Sequence, residues 1–264
     1  MYKLGLSRSV KMDEDFSVAI DELEKLGYDG FDLDLCKWWS KRENEVENYQ
    51  NNLQNALDRI AKSKLIFNGV HISFGPNWDY SSPDEEKRSL AVERTKEMFA
   101  KIDPYAPYCY ILHGSFEPIK AEERTLHIEA LKKSLKELRP FTDAKICVEI
   151  LPRTCLFNTS KEALEIVESL DGIDVCVDVN HFLQEKSEEG LLRLGSYVKT
   201  LHISDHDYVD ERHWLPGNGS IDWMKLIGSL EKIGYTGMFH YESAGTHEEV
   251  KQNYLGLFAR YNEK

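Results

Sequence analysis

Six mostly hydrophobic runs of this sequence carry, at or near their ends, a residue able to hold a proton or a metal ion. They span residues 65–71 with His71, 108–113 with His113, 146–151 with Glu149, 175–181 with Asp178, 198–203 with His202, and 237–242 with Glu242. A carboxylate among apolar neighbours is costly to bury unless a cation or hydrogen-bond donors satisfy it. Several runs with the same feature imply groups that compensate one another around a common ion. His181 stands three residues after Asp178, and Asp210, Glu211 and His213 follow the run of His202. Mixed imidazole and carboxylate donors suit Zn2+, Mn2+, Co2+ or Fe2+ better than Ca2+, with Mg2+ admissible where histidine is a minor ligand.

Each residue alone has a plainer reading. A single histidine at a strand end is more often a satisfied surface or core group than a ligand. Asp178 could be an Asx-turn residue or a helix cap, and Glu242 could pair with Arg153 or a lysine. His127, His206, His240 and His247 fall off the shared register or lie on helices, and read as structural or surface groups. The coincidence of register over six runs favours a common site.

The elements that must position these residues alternate regularly. Strands are expected at 3–7, 30–35, 65–71, 108–113, 146–151, 175–178, 198–203 and 237–242. Between them lie stretches with apolar residues at helical spacing, such as Ala163, Ile166, Val167 and Leu170. Helix starts are signalled by Asp13, by Ser82 with Glu85, by Thr159 with Glu162, by Asp222, and by Thr246 with Glu249. Eight strand–helix units in one chain of 264 residues imply an α/β fold, a single (β/α)8 TIM barrel over residues 1–264. An open doubly wound sheet is the alternative, but no strand–helix junction carries a Gly-rich phosphate fingerprint. In a barrel the C-terminal strand ends form the catalytic face, which is where the six residues fall.

Bulk properties narrow the partners. Apolar and charged fractions of 41% and 30% fit an ordinary globular protein, and a net charge of −13 disfavours nucleic acid or an anionic membrane surface. The five cysteines are odd in number, and three of them, Cys109, Cys147 and Cys176, sit in apolar runs. Reduced thiols in a cytoplasmic protein are the expectation, and no apolar run approaches membrane-spanning length.

Taken together, Val148-Glu-Ile, Asp178-Val-Asn-His181, Leu201-His-Ile-Ser-Asp205, the stretch from His213 to Asp222, and Tyr241-Glu-Ser resemble the xylose-isomerase-like barrel superfamily. The resemblance covers nearly the whole chain. It implies sugar or sugar-phosphate isomerase or epimerase chemistry, or, in another branch, apurinic-site endonuclease chemistry. It also implies Glu149, Asp178, His202 and Glu242 as ligands of one divalent ion (Mn2+, Zn2+, Co2+ or Mg2+), with Glu149 and Glu242 doubling as the catalytic acid–base pair. His181, His213 and Arg212 are then expected at the substrate. His71 and His113 are expected either at a second ion, with Glu149 bridging, or at the substrate; in the endonuclease branch they would serve that second ion, and His181 and His213 a third. That third set pairs its histidine with an aspartate two residues earlier, where this chain has Glu211.

The leading expectation is therefore metal-dependent isomerisation or epimerisation of a small sugar, sugar phosphate or related hydroxy-ketone through an enediolate. Two other readings are a phosphodiesterase of the endonuclease type, which the acidic charge disfavours, and a non-catalytic metal-dependent sugar-binding barrel. A homo-oligomer is compatible with all three. Trp38, Trp39, Phe74 and Trp78, on loops after the second and third strands, supply either an apolar wall or loop anchors.

Overall fold

The chain alternates between short runs rich in β-branched and aromatic residues and longer amphipathic stretches, and each becomes one strand or one helix. The structure, a computed structural model, describes residues 1–9, 16–35 and 46–263. In order the main elements are β1 (Lys3–Ser9), α1 (Phe16–Leu26), β2 (Gly30–Asp34), α2 (Val46–Ile60), β3 (Ile66–His71) and α3 (Glu85–Ile102). The middle of the chain gives β4 (Cys109–Leu112), α4 (Arg124–Leu138), β5 (Lys145–Glu149), α5 (Ser160–Val167), β6 (Ile173–Asp178) and α6 (Ser187–Leu194). It ends with β7 (Val198–His202), α7 (Trp223–Lys232), β8 (Met238–Tyr241) and α8 (His247–Asn262).

All neighbouring strands pair in parallel, in the order β7-β6-β5-β4-β3-β2-β1-β8. Ile203 joins the two ends of that order. Its N–H donates to the His240 carbonyl at 2.8 Å, and its carbonyl accepts from the Glu242 N–H at 3.1 Å. The sheet thus forms a nearly closed (β/α)8 barrel, and the open-sheet alternative is set aside.

Period-two alternation gives the barrel two unlike faces. Outward residues such as Phe31, Leu33, Tyr110, Leu112, Val148, Val175, Val177 and Phe239 are buried against Leu23, Leu57, Phe99, Leu135, Ile166, Leu226 and Phe258 from the helices. Full burial of such side chains stabilises the fold by about 1.5–3 kcal/mol each, so the main core is the layer between sheet and helices. The intervening inward positions include Gly5, Asp32, Gly69, Cys109, Cys147, Cys176, Thr200 and His240, which are small or polar. The buried thiols agree with the expectation for Cys109, Cys147 and Cys176.

Helix starts differ in part from the expected caps. At α3 the cap is Asp84, whose carboxylate accepts from the N–H groups of Glu86 and Lys87, while Ser82 Oγ only accepts from the Asp84 N–H at 3.3 Å. An ionised carboxylate is the stronger acceptor, and Glu85 turns instead to Arg88 and Lys133. Thr159 caps α5, but Glu162 leaves the box for the Phe157 N–H and Arg124. Asp222 caps α7, and Thr246 with Glu249 forms a complete capping box at α8. The expected cap at Asp13 lies outside the described residues. No helix among the described residues is long and apolar enough to cross a membrane.

Candidate active site

Strand ends bring Glu149 (β5), Asp178 (β6), His202 (β7) and Glu242 (just past β8) to one place, with one ligand atom from each lying within 4.8 Å of all the others. His202 Nδ1 stands 2.8 Å from Glu149 Oε1 and 2.8 Å from Glu242 Oε2. The other Glu149 oxygen, Oε2, is 3.0 Å from His71 Nε2 and 3.0 Å from His113 Nε2, so Glu149 is shared by two histidine sets. Asp178 Oδ1 accepts from the Asn180 N–H at 2.8 Å, whereas Oδ2 is buried, lies 3.4 Å from His181 Nδ1 and makes no hydrogen bond among the described residues. Glu242 therefore pairs with His202, and Arg153 goes elsewhere.

Electrostatics follow from this crowding. Burial opposes ionisation of Glu149, yet His202, His71 and His113 hold its carboxyl well below the usual range. Glu242 is likewise held low against burial, by His202. Burial would discharge His202 and His71, but facing groups outweigh it. His202 rises well above its ordinary value, with Cys176, Glu242 and Glu149 acting on it, and His71 rises to about 9 through Glu149. Asp178 is pushed up to about 6 by burial, with Glu149 and Glu242 adding to it against the pull of His181. Buried Glu149 and Asp178 and the quarter-exposed Glu242, compensated by imidazole protons and with Asp178 Oδ2 lacking a hydrogen bond among the described residues, fit a divalent cation. One nitrogen and three carboxylate groups form a donor set suited to Zn2+, Mn2+ or Co2+.

A second group of side chains lines the rim. His181 Nδ1 is 2.8 Å from the Ile150 carbonyl, and its Nε2 is 2.8 Å from Glu211 Oε2. Burial would lower His181, but Asp178 and Glu211 raise it to about 10. Glu211, bonded to His181 and to Arg153, falls to about 2. The Arg153 guanidinium gathers Glu211 at 2.7 Å, Asp210 at 3.0 Å and Glu117 at 2.8 Å. His213, at φ 50, sets Nδ1 3.1 Å from the Glu242 carbonyl and Nε2 3.9 Å from Glu211 Oε2. His181, Glu211 and His213 thus form a further group of closely placed donors; Glu211, not Asp210, turns to the histidines.

Residues 203–222, which carry Glu211 and His213, are anchored by Asp205. Its Oδ1 accepts from the N–H groups of His206 and Ile221 at 3.0 and 3.2 Å, and its Oδ2 from the Gly217 N–H and Trp223 Nε1–H at 2.8 Å each. Asn180 Oδ1 accepts from the N–H groups of Arg212 at 3.0 Å and His213 at 3.4 Å, tying this loop to the end of β6. The Arg212 guanidinium is engaged by Asp207 at 2.9 Å and lies over Trp214. Phe74 stacks on His113 with ring centroids 4.2 Å apart and is 44% exposed, as an apolar wall requires. Trp78 is buried and acts as an anchor; Trp38 and Trp39 lie outside the described residues.

Asp32 carried no signal in the sequence analysis, and His240 read there only as a structural or surface group. Both are fully buried inside the barrel, with His240 Nε2 3.1 Å and His202 Nε2 3.6 Å from Asp32 Oδ2. Period two was the available signal, because His240 must share a face with Glu242. Burial resists ionisation of Asp32, but the His240 and His202 rings and the Asn68 amide keep its carboxyl low. The other three histidines are structural, as expected. His247 is buried beside Glu22, His206 packs against Tyr208, and His127 meets Ser81.

A barrel closed at β7–β8, with carboxylates and histidines at its C-terminal rim, defines the class, and the sequence agrees. The chain belongs to the xylose isomerase-like TIM barrel family, whose pattern it matches over residues 20–256. Among individual proteins, it is 25% identical over 242 residues to the D-psicose 3-epimerase of Ruminiclostridium cellulolyticum, covering 85% of this chain and 77% of that one. A crystal structure of a D-tagatose 3-epimerase-like protein superposes with a TM-score of 0.82 at 19% identity, covering 99% and 98% of the two chains. The IOLI protein with a binding zinc atom gives 0.74 at 17% identity, covering 98% and 99%.

Proposed function

We propose that this protein is a divalent-metal-dependent epimerase or isomerase of a small ketose or related hydroxy-ketone. The observation that carries the reading is the convergence of Glu149 and Glu242, from β5 and the end of β8, on His202 Nδ1 beside Asp178. The similarity to a D-psicose 3-epimerase supports the substrate class. Glu149, Asp178, His202 and Glu242 would hold the ion. When bound, it supplies positive charge against the negative charge that develops on the substrate oxygens.

The chain's own groups then divide the proton work. One glutamate takes the proton from the carbon next to the carbonyl, and the electron pair moves into an enediolate. The other glutamate, on a different strand, enters the cycle carrying a proton and delivers it to the opposite face, which inverts that carbon and leaves the two glutamates with exchanged protonation states; return to the neighbouring carbon would isomerise the sugar instead. His181, its Nδ1 kept on the Ile150 carbonyl, would donate to a substrate oxygen through Nε2 by exchanging its Glu211 partner for the substrate. Phe74 shields the open side, and Arg212, engaged by Asp207, is proposed to contact substrate only at its edge.

The test is turnover of a panel of ketoses in deuterated water by metal-loaded protein. Label at the carbon beside the carbonyl is expected. No turnover of any ketose, inosose or hydroxypyruvate by fully loaded protein would sink the reading. The sharing of Glu149 between two histidine-containing groups, with a third at His181, Glu211 and His213, favours one second reading, phosphodiester hydrolysis at a multi-ion centre. Cleavage of an abasic-site oligonucleotide without sugar turnover would establish it.

A further inference from the structure

Beneath the proposed ion the barrel axis is polar. Asp32, Asn68, Thr200, His202 and His240, from β2, β3, β7 and β8, are all buried there. Asn68 Nδ2 donates to Asp32 Oδ1 at 2.7 Å and to Thr200 Oγ1 at 3.2 Å. The second carboxylate oxygen, Asp32 Oδ2, faces His240 Nε2 at 3.1 Å and His202 Nε2 at 3.6 Å. Neither Asp32 Oδ2 nor His202 Nε2 makes a well-aligned hydrogen bond among the described residues. The sequence makes room for this group. A Cβ on Gly69 would stand 2.7 Å from Asp32 Oδ1, and one on Gly5 would run into the His240 ring. Glycine weakens a strand interior unless something must approach closely, and here a carboxylate and an imidazole do.

We propose that Asp32 is the positioning residue of His202: Asp32 Oδ2 receives the Nε2–H of that imidazole and so presents Nδ1 to Glu149, Glu242 and the ion. The inference rests on the metal reading above. A shift of roughly half an ångström brings the 3.6 Å separation into hydrogen-bond range. His240 and Asn68 steady the carboxylate from its other sides. A ligating histidine whose second N–H meets a carboxylate is fixed in tautomer and orientation, and loss of such a partner typically weakens metal binding about 10–100-fold.

The experiment measures the Zn2+ dissociation constant of metal-free wild type, Asp32→Asn and Cys109→Ala by competition with a chromophoric chelator, alongside their melting temperatures. Asp32→Asn should raise the constant about 10–100-fold. Cys109→Ala, which loosens the same interior without touching the carboxylate, should leave it unchanged. In zinc-loaded wild type, 15N spectra should show His202 protonated at Nε2 and bound through Nδ1. An Asp32→Asn constant within about twofold of wild type, an equal loss in Cys109→Ala, or zinc on His202 Nε2 overturns the proposal. If Asp32→Asn does not fold, the wild-type spectrum decides alone. A wild type that binds no divalent ion removes the metal reading as well, whereas equal binding by wild type and Asp32→Asn removes only this inference.

Discussion

Asp205→Asn is the sharpest test of how the rim loop is held. Each Asp205 oxygen accepts two N–H groups, and the residue is fully buried. Asparagine keeps one oxygen and replaces the other with an NH2 donor, so in either orientation two donors face a donor. Two hydrogen bonds to a charged acceptor disappear, each worth about 1.5–3 kcal/mol, which sets the cost at about 3–6 kcal/mol. If the whole domain bears that cost, the urea midpoint falls accordingly. If residues 203–222 open locally, the loss appears as faster amide exchange from His206 to Ile221 and as reduced turnover, since Glu211 and His213 ride on this loop. A variant that loses under about 1 kcal/mol with unchanged exchange there would refute the anchoring role.

Glu149→Gln and Glu242→Gln each keep an oxygen but remove a base, so turnover should fall by at least about 10²-fold while zinc content, read by elemental analysis, persists in part. Chelation should destabilise the protein reversibly. An ion at 100 times its dissociation constant contributes about 2.7 kcal/mol, and its removal should lower Tm by about 5–11 °C in calorimetry. Glu211 provides a pH signature. Because its folded value is depressed to about 2, its contribution is present above its unfolded value near 4.3 and is lost as pH falls towards 2. Urea midpoints of metal-free Glu211→Gln should therefore show a shallower decline across that window than wild type.

Six of the eight strand ends were legible because a carboxylate or imidazole interrupts an apolar run there, and His71, His113, Glu149, Asp178, His202 and Glu242 stand at or just past those ends in the folded barrel. Partner choice was less legible. Nothing in the spacing shows that Arg153 gathers Glu117, Asp210 and Glu211 from two loops, or that Glu211 turns to His181 in place of Asp210. These pairings depend on where loops of different strands meet. The α3 cap moved from Ser82 to Asp84 because two capping residues lie within one turn, and acceptor strength decides between them. His240 illustrates a rule applied too narrowly. Period two carries the ionisable face past the strand ends and deeper into the barrel, where His240 stands.

The small and ionisable lining of the barrel axis has a further meaning for how this protein could change over generations. Cohesion resides mainly in the outer layer, where Phe31, Val148 and Phe239 meet the helices, while inside the barrel Cys109, Ile111, Cys147 and Cys176 form a small apolar cluster of their own. A Cβ at Gly5 or Gly69 would strike His240 or Asp32, and Thr200 accepts from Asn68, so the inner wall resists change where it supports the ionisable groups and tolerates it chiefly at Cys109 and Cys147. A library of small residues at Cys109 and Cys147 should retain many folded members, leaving the ionisable groups above them on an inherited frame.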